Sequence, residues 1–184
     1  MREAFDNPAI TTDVIVGFPG ETEEEFAATR QYLEQVHFYE MHVFKYSRRE
    51  GTRAAVMPDQ VPEPVKAERS DQLLELEKRM SREYRQCFVG TVQEILLEEP
   101  AEIGGLSCVV GHTRQYVRAA VLSADAGNTA NCGAPVLDAG TAANPAAPHE
   151  QHPATPARGR IVKARITGFL DDETLLAELT GEPG

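Results

Sequence analysis

Two strings in this sequence hold residues suited to chemistry. The first is Thr11-Thr12-Asp13-Val14-Ile15-Val16-Gly17-Phe18-Pro19-Gly20-Glu21-Thr22, a β-branched run that ends in glycine and proline. In α/β folds ligands sit at the C-terminal ends of the strands, where such a turn falls. Gly17 and Gly20 let a ligand approach the backbone, although a glycine turn alone is equally a plain strand–helix connection. Glu21 reads as an acidic residue at a helix N-terminus or as a ligand contact, and the first reading is favoured. The second string is His42-Val43-Phe44-Lys45-Tyr46-Ser47-Arg48-Arg49-Glu50-Gly51-Thr52-Arg53-Ala54-Ala55, which leaves a strand end for a polar loop with four cations. Such a loop can meet phosphate or carboxylate, or it can balance an acidic surface.

The elements that must position these strings follow from periodicity. Ile10 to Phe18 reads as a buried strand. Thr22 with Glu25 forms a capping box, and Phe26, Thr29, Leu33 and Val36 recur at helical spacing behind it. A second strand is expected from Met41 to Tyr46. Strand–helix–strand at this length is a βαβ unit with parallel strands. A parallel pair needs cover on both faces, so a partner from elsewhere is expected. A proline-rich loop then leads to a helix over Glu63 to Gln86, with Val65, Leu73, Leu76, Met80 and Tyr84 along one face. Its charged residues, Glu75 and Arg79 among them, read as a solvated face.

From Phe88 the texture changes. Phe88–Glu98, Ser107–His112, Gln115–Leu122, Arg160–Phe169 and Thr174–Leu179 are five short strand candidates, with turn signals at Gly104-Gly105 and Asp171-Asp172. Five such strands predict a small closed barrel of OB-like type. The stretch 124–158 is rich in Ala, Gly, Pro, Asn and Thr and is expected to be a disordered insertion in it.

Composition bounds the function classes. The 184 residues suffice for one domain or two small ones. No apolar run is long enough to cross a bilayer and the start has no apolar signal region, so a cytoplasmic location is expected. Cys87, Cys108 and Cys132 are more than twenty residues apart, which is neither a disulfide framework nor a local metal-ligand pair. The net charge of −11 argues against nucleic acid as a partner, because phosphate neutralisation needs clustered Lys and Arg. From Gln86 onward there are six Lys or Arg against twelve Asp or Glu. Those six cations nevertheless fall in two stretches, Arg114 and Arg118 in one, Arg158, Arg160, Lys163 and Arg165 in the other. Alternation puts Lys163 and Arg165 on one face of a strand. One basic patch results if the two stretches neighbour each other; scattered solubilising charge is the alternative.

Taken whole, the first string resembles the late-barrel strand of the radical-SAM tRNA methylthiotransferases. The second resembles the same family's run of an aromatic residue, Tyr-Ser, Arg and Gly-Thr, continued by Met57-Pro58, Gln60-Val61-Pro62, Val65-Lys66 and Arg69-Ser70. A third string, Gly111-His112-Thr113-Arg114-Gln115-Tyr116-Val117, is flanked by Val89-Gly90-Thr91-Val92 and Val162-Lys163-Ala164-Arg165-Ile166. It resembles the TRAM barrel that ends these enzymes, in the form of the threonylcarbamoyladenosine branch.

The resemblance implies an α/β fragment of a partial TIM-like radical-SAM barrel over residues 1–86, followed by a small all-β, OB-like TRAM barrel over 87–184. It implies methylthiolation of the adenosine 3′ of the anticodon, with S-adenosylmethionine and 4Fe–4S clusters as cofactors of the complete enzyme. Ile15 and Gly17 would line the adenosyl pocket. The barrel would hold the anticodon stem-loop of tRNA through Arg114, Arg118, Lys163, Arg165, Tyr116 and His112. Tyr116 suits either core packing or base stacking, and His112 either a strand-end surface position or an RNA contact. No residue is assigned as acid, base, nucleophile or metal ligand. The family's clustered cysteines have no counterpart here, and Met1 falls where the family is mid-helix, so the resemblance implies a truncated chain whose N-terminal, cluster-binding part is a missing partner. Two rival readings remain open, a free-standing non-catalytic RNA-binding module and a non-functional gene fragment.

Without clustered thiolates the chain alone is expected neither to assemble a 4Fe–4S cluster nor to cleave S-adenosylmethionine. Anaerobic reconstitution with iron and sulfide, read by absorption spectroscopy and by assay for 5′-deoxyadenosine, checks this. A stoichiometric cluster with that product would overturn it.

Overall fold

The computed structural model describes residues 4–5, 7–123 and 159–180. The stretch 124–158, with the insertion expected there and with Cys132 and Arg158, lies outside the described residues. The chain divides into two compact units, Met1–Cys87 and Phe88–Gly184. Among the described residues no helix is long and apolar enough to cross a membrane.

The first unit runs β1 (Thr11–Val16), α1 (Glu23–Val36), β2 (Glu40–Lys45), a single 3-10 turn (Ala54–Val56) and α2 (Glu63–Gln86). The capping box forms: Glu25 N–H donates to Thr22 Oγ1 at 3.2 Å, and Thr22 N–H donates to Glu25 Oε2 at 2.9 Å. β1 and β2 pair in parallel, from Thr11 opposite Glu40 to Val16 opposite Lys45. Side chains alternate along these strands, so Val14, Val16 and Met41 fall on one face. That face packs against Phe26 and Leu33 of α1 and Leu73, Leu76 and Met80 of α2. Both helices lie on this side. On the other face Ile15 and Phe44 stand opposite each other and are 56% and 53% exposed.

The buried stripe of α2 is longer than its apolar residues suggest. Running back from Leu73 at helical spacing, it takes in Arg69 and Lys66, each only 5% exposed. Glu75 and Arg79 lie on a solvated face, as expected, and there Arg79 pairs with Glu34 of α1 and with Glu83, the latter at 3.6 Å.

The second unit has β3 (Val92–Ile103), β4 (Leu106–Thr113), β5 (Arg118–Leu122), β6 (Arg160–Phe169) and β7 (Leu175–Leu179). They close into a barrel in the order β3-β4-β5-β7-β6, with β6 returning to pair with β3. The β5–β7 pairing is parallel and the other four are antiparallel. Ile95, Leu97, Val117, Ala119, Val121, Ala164, Ile166, Leu175 and Ala177 are fully buried at alternate positions and fill the barrel. A second small core of Cys108, Val110 and Ala120 lies on the opposite face of β4 and β5.

Two strands differ from expectation. β3 starts at Val92 rather than Phe88, and it runs on to Ile103 because the Gly104-Gly105 turn lets residues 99–103 pair back onto β4. β5 starts at Arg118 rather than Gln115, because Thr113 to Val117 closes a turn first: Thr113 N–H donates to Val117 O and Tyr116 N–H to Thr113 O, both at 3.0 Å. β3 carries a bulge at Glu98, the one residue between Leu97 and Glu99 without a partner on β4. Beside it the chain presses on Gly111, where a Cβ would lie 1.9 Å from the Leu96 carbonyl oxygen.

The β6–β7 turn holds a pH-sensitive contact. Asp171 Oδ1 accepts the Glu173 and Thr174 N–H groups at 2.8 and 2.6 Å. Burial pushes its pKa up, but these hydrogen bonds to the ionised form outweigh it, so the carboxyl titrates below the ordinary 3.8. A folded-state pKa below the unfolded one stabilises the fold above the unfolded value, and that stability is lost as pH falls through the folded value. Urea unfolding of wild type and Asp171→Asn between about pH 5 and 2 should show a shallower acid loss in the variant. Parallel stability curves would sink this assignment.

Candidate functional site

At the C-terminal end of β1 a polar network holds the turn. Gly17 sits at φ 71°, in the left-handed region, and its N–H donates to Glu21 Oε2 at 2.6 Å. The same oxygen accepts Arg69 Nη1 at 2.6 Å, and Arg69 also bonds the Glu21 carbonyl at 3.2 Å and Glu23 Oε2 at 3.1 Å. The Arg69 guanidinium lies over the Phe26 ring, 5.2 Å from its centroid. Burial drives the Arg69 pKa down, but the bonds from Glu21 and Glu23 more than offset it, and the group stays charged.

Lys66 continues the network. Its ammonium donates to the Tyr46 carbonyl at 3.1 Å and to Glu63 Oε1 at 2.7 Å, while Tyr46 N–H donates to Val16 O at 2.9 Å. The Tyr46 and Phe18 rings meet edge to face at 5.3 Å. The ends of β1 and β2 are thus tied to the first turns of α2. Beside them an open cleft of about 600 Å³ is lined by Phe18, Arg53, Ala54, Val56, Met57 and Pro58.

The second candidate surface is the outer face of the barrel around β3. Residues directly opposite in a ladder share a face. Arg118 is opposite His112, His112 opposite Leu96, and Leu96 opposite Ile161, which makes one row across four strands. Glu94 with Lys163 and Val92 with Arg165 make the next rows. His112 Nδ1 bonds Glu98 Oε2 at 2.7 Å, and its ring stacks on Tyr116 with centroids 4.6 Å apart. Arg114 Nε lies 3.5 Å from Glu94 Oε2, and Arg165 Nη1 donates to the Gly90 carbonyl at 2.8 Å.

No family model matches the chain. Individual relatives do match it. A tRNA-2-methylthio-N(6)-dimethylallyladenosine synthase of Akkermansia muciniphila is 50% identical over 102 residues, covering 55% of this chain and 22% of that protein. One of Thermobifida fusca is 54% identical over 99 residues, covering 54% of this chain and 20% of that protein. The threonylcarbamoyladenosine tRNA methylthiotransferase MtaB of Bacillus subtilis is 44% identical over 119 residues, covering 64% of this chain and 26% of that protein. The chain is a homologue of the tRNA methylthiotransferases. The match is to their C-terminal portion, and it spans a fifth to a quarter of their length.

The sequence-derived residues fall as follows. Ile15 is the penultimate residue of β1 and lies on its open face, and Gly17 follows the strand's last residue, Val16. The Cβ side of Gly17 is taken by Lys66, whose Cγ would be 2.3 Å from an added Cβ. The glycine is therefore required by its φ and by this side chain, whereas an added Cβ at Gly20 would meet open space. Glu21, read as a helix N-terminal acid, is the hub of the turn network. In the barrel, Tyr116 is 72% exposed, which decides against core packing.

Lys163 and Arg165 share the outer face, as alternation requires. The two basic stretches are not adjacent strands, however. β3 lies between β4 and β6, and its Glu94 sits between Arg114 and Lys163, so the cations flank a strand with a spread of about 10 Å. Arg118 joins the same face through His112. Among the described residues no group of three or more His, Cys, Asp or Glu is placed to hold a metal ion. Cys87 is exposed and Cys108 is buried with its thiol pKa raised by that burial, so the described thiols do not fit a cluster's ligand set.

Sequence reasoning missed Lys66 and Arg69 as structural members of this site. Their signal is spacing: 66, 69, 73, 76, 80 and 84 are one helical stripe, and a cation inside a buried stripe requires a partner. Arg69→Ala leaves the Glu21 carboxylate, 14% exposed, without its cation. Removing one partner of a buried pair typically costs about 3–5 kcal/mol. Urea unfolding followed by circular dichroism should show a loss of this order for Arg69→Ala. A loss below about 1 kcal/mol, typical of an exposed pair, would overturn the assignment of this pair as the anchor of the turn.

Proposed function

We propose that this chain is the C-terminal part of a tRNA-modifying enzyme that methylthiolates the (threonylcarbamoyl)adenosine 3′ of the anticodon by radical S-adenosylmethionine chemistry. The observation that carries the reading is the identity of about half of all positions to tRNA methylthiotransferases over half of the chain. Relatives acting on two different modified adenosines match. The threonylcarbamoyl branch rests on the form of the Gly111-His112-Thr113 and Tyr116-Val117 string; the MtaB match reaches further, 64% of the chain, while the dimethylallyladenosine synthases are more identical over a shorter stretch.

In this reading the first unit is a piece of a TIM-like barrel. Its parallel strands end at a turn held by Glu21 and Arg69, and Ile15 offers apolar surface beside that turn for the adenosyl group. The second unit is an OB-like TRAM barrel; closure of five strands in the order first, second, third, fifth, fourth supports this. When bound in the complete enzyme, S-adenosylmethionine and the 4Fe–4S clusters supply the radical and sulfur chemistry. The residues of this chain bind and orient; none is assigned an acid, base or nucleophile role. The partners are tRNA and an N-terminal, cluster-binding part of the same enzyme.

RNA is held by the face around β3, through His112, Tyr116, Arg114, Arg118, Lys163 and Arg165. The full chain should bind an anticodon stem-loop weakly. About four phosphate contacts give a log–log salt slope of roughly −3 on a single strand. Lys163→Ala with Arg165→Ala should lower the affinity and reduce that slope to about −1.5. Fluorescence anisotropy across a salt series checks both. Binding that is insensitive to salt, or unchanged by the double substitution, would exclude this face as the RNA site.

A further inference from the structure

Tyr116 combines three features that packing does not explain. It is a bulky residue at φ 63°, it is exposed, and its ring is nevertheless fixed against another ring. The left-handed region is unfavourable for such a side chain, and strain of this kind persists only where the surroundings enforce it. Here the surroundings are evident. Val117 is fully buried in the barrel, and its N–H donates to Thr113 Oγ1 at 3.2 Å. With Val117 drawn in and Tyr116 N–H tied to Thr113 O, the Tyr116 side chain is turned outward. Its ring stacks on His112 at an interplanar angle of 16°. His112 is in turn held by Glu98, which the β3 bulge frees from the ladder.

The stack thus draws on a strand bulge, a strand end and a tight turn. It offers a flat aromatic surface beside exposed Leu96 and Ile161. Arg118 lies directly opposite His112 and Arg114 precedes Tyr116 in the turn, while Lys163 and Arg165 stand two strands away on the same outer face; of its carboxylates Glu94 is engaged by Arg114 and Glu98 by His112, and Glu178 lies opposite Arg165. A flat π-surface with two cations beside it and two more across the neighbouring strand matches a nucleobase with its neighbouring phosphates, since every base has a π-face and every linkage a negative charge.

We propose that Tyr116, stacked on His112, is the platform for one unpaired nucleobase of the bound RNA, whose backbone lies against Arg114, Arg118, Lys163 and Arg165. This rests on the RNA-binding reading above and adds to it a single-base subsite. The test uses the full chain, an RNA stem-loop, and copies of that RNA with one abasic loop position each. One abasic position should weaken binding about tenfold, the scale of base–aromatic stacking. Tyr116→Ala should weaken binding of the intact RNA by the same factor and have no further effect on that abasic RNA. Tyr116→Phe should restore binding. Tyr116→Gly removes the ring and suits the backbone, so it should melt no lower than wild type and still bind weakly; lost binding in a stable protein separates the platform from a structural role. The salt slope should be unchanged in all three variants. Equal affinity of wild type and Tyr116→Ala, or tolerance of an abasic site at every loop position, would overturn the platform and leave RNA binding standing. A wild-type chain that binds none of these RNAs would overturn both.

Discussion

A β-strand has two faces, and a short chain can bury only some of them. This constraint shapes both units. In the first, α1 and α2 both pack on the Val14/Val16 face, so Ile15 and Phe44 remain on an open one. In the second, the barrel interior consumes one face of every strand, and the outward row of Arg118, His112, Leu96 and Ile161 is left for other uses. Each candidate surface lies on a face that the unit's main core does not take, although on β4 and β5 part of that face holds the small second core of Cys108, Val110 and Ala120. The exposed apolar residues on these faces are therefore available for a ligand or partner.

What keeps the open face of the first unit in shape is buried charge. An ionised guanidinium inside a protein needs a carboxylate, and Arg69 has Glu21 at 2.6 Å. Glu21 also receives the Gly17 N–H, so the pair fixes the backbone just after β1. Lys66 does the same for the end of β2 by bonding the Tyr46 carbonyl. The first turns of α2 thus position the turn, and the apolar remainder of the helix positions the sheet. A hydrophobic stripe alone would bury the sheet without specifying the direction in which the loops leave it.

In the barrel the equivalent device is irregularity of the backbone. The extra residue at Glu98 breaks the ladder and frees a carboxylate to hold His112. Close approach of β3 to Gly111 excludes any side chain there. The tight turn from Thr113 to Val117 then places Tyr116 over the imidazole. These three features lie within a few residues of one another in space, although they come from two strands and a loop.

The sequence by itself determined the local elements. The capping box at Thr22 and Glu25, the helix over Glu63–Gln86 and the strand over Arg160–Phe169 were all legible, because each rests on short-range periodicity or on contacts three or four residues apart. The strings around Gly17, Tyr46 and His112 also carried the likeness to methylthiotransferases, since residue order alone conveys it. Tertiary structure decided which side chains meet. That Glu21 pairs with Arg69, 48 positions away, depends on how α2 lies on the sheet. That Glu94 separates Arg114 from Lys163 depends on which strands are neighbours in the barrel. The exposure of Tyr116 depends on a turn that begins where strand propensity continues. Local pattern cannot encode these outcomes, because each is set by the packing of segments far apart in the chain.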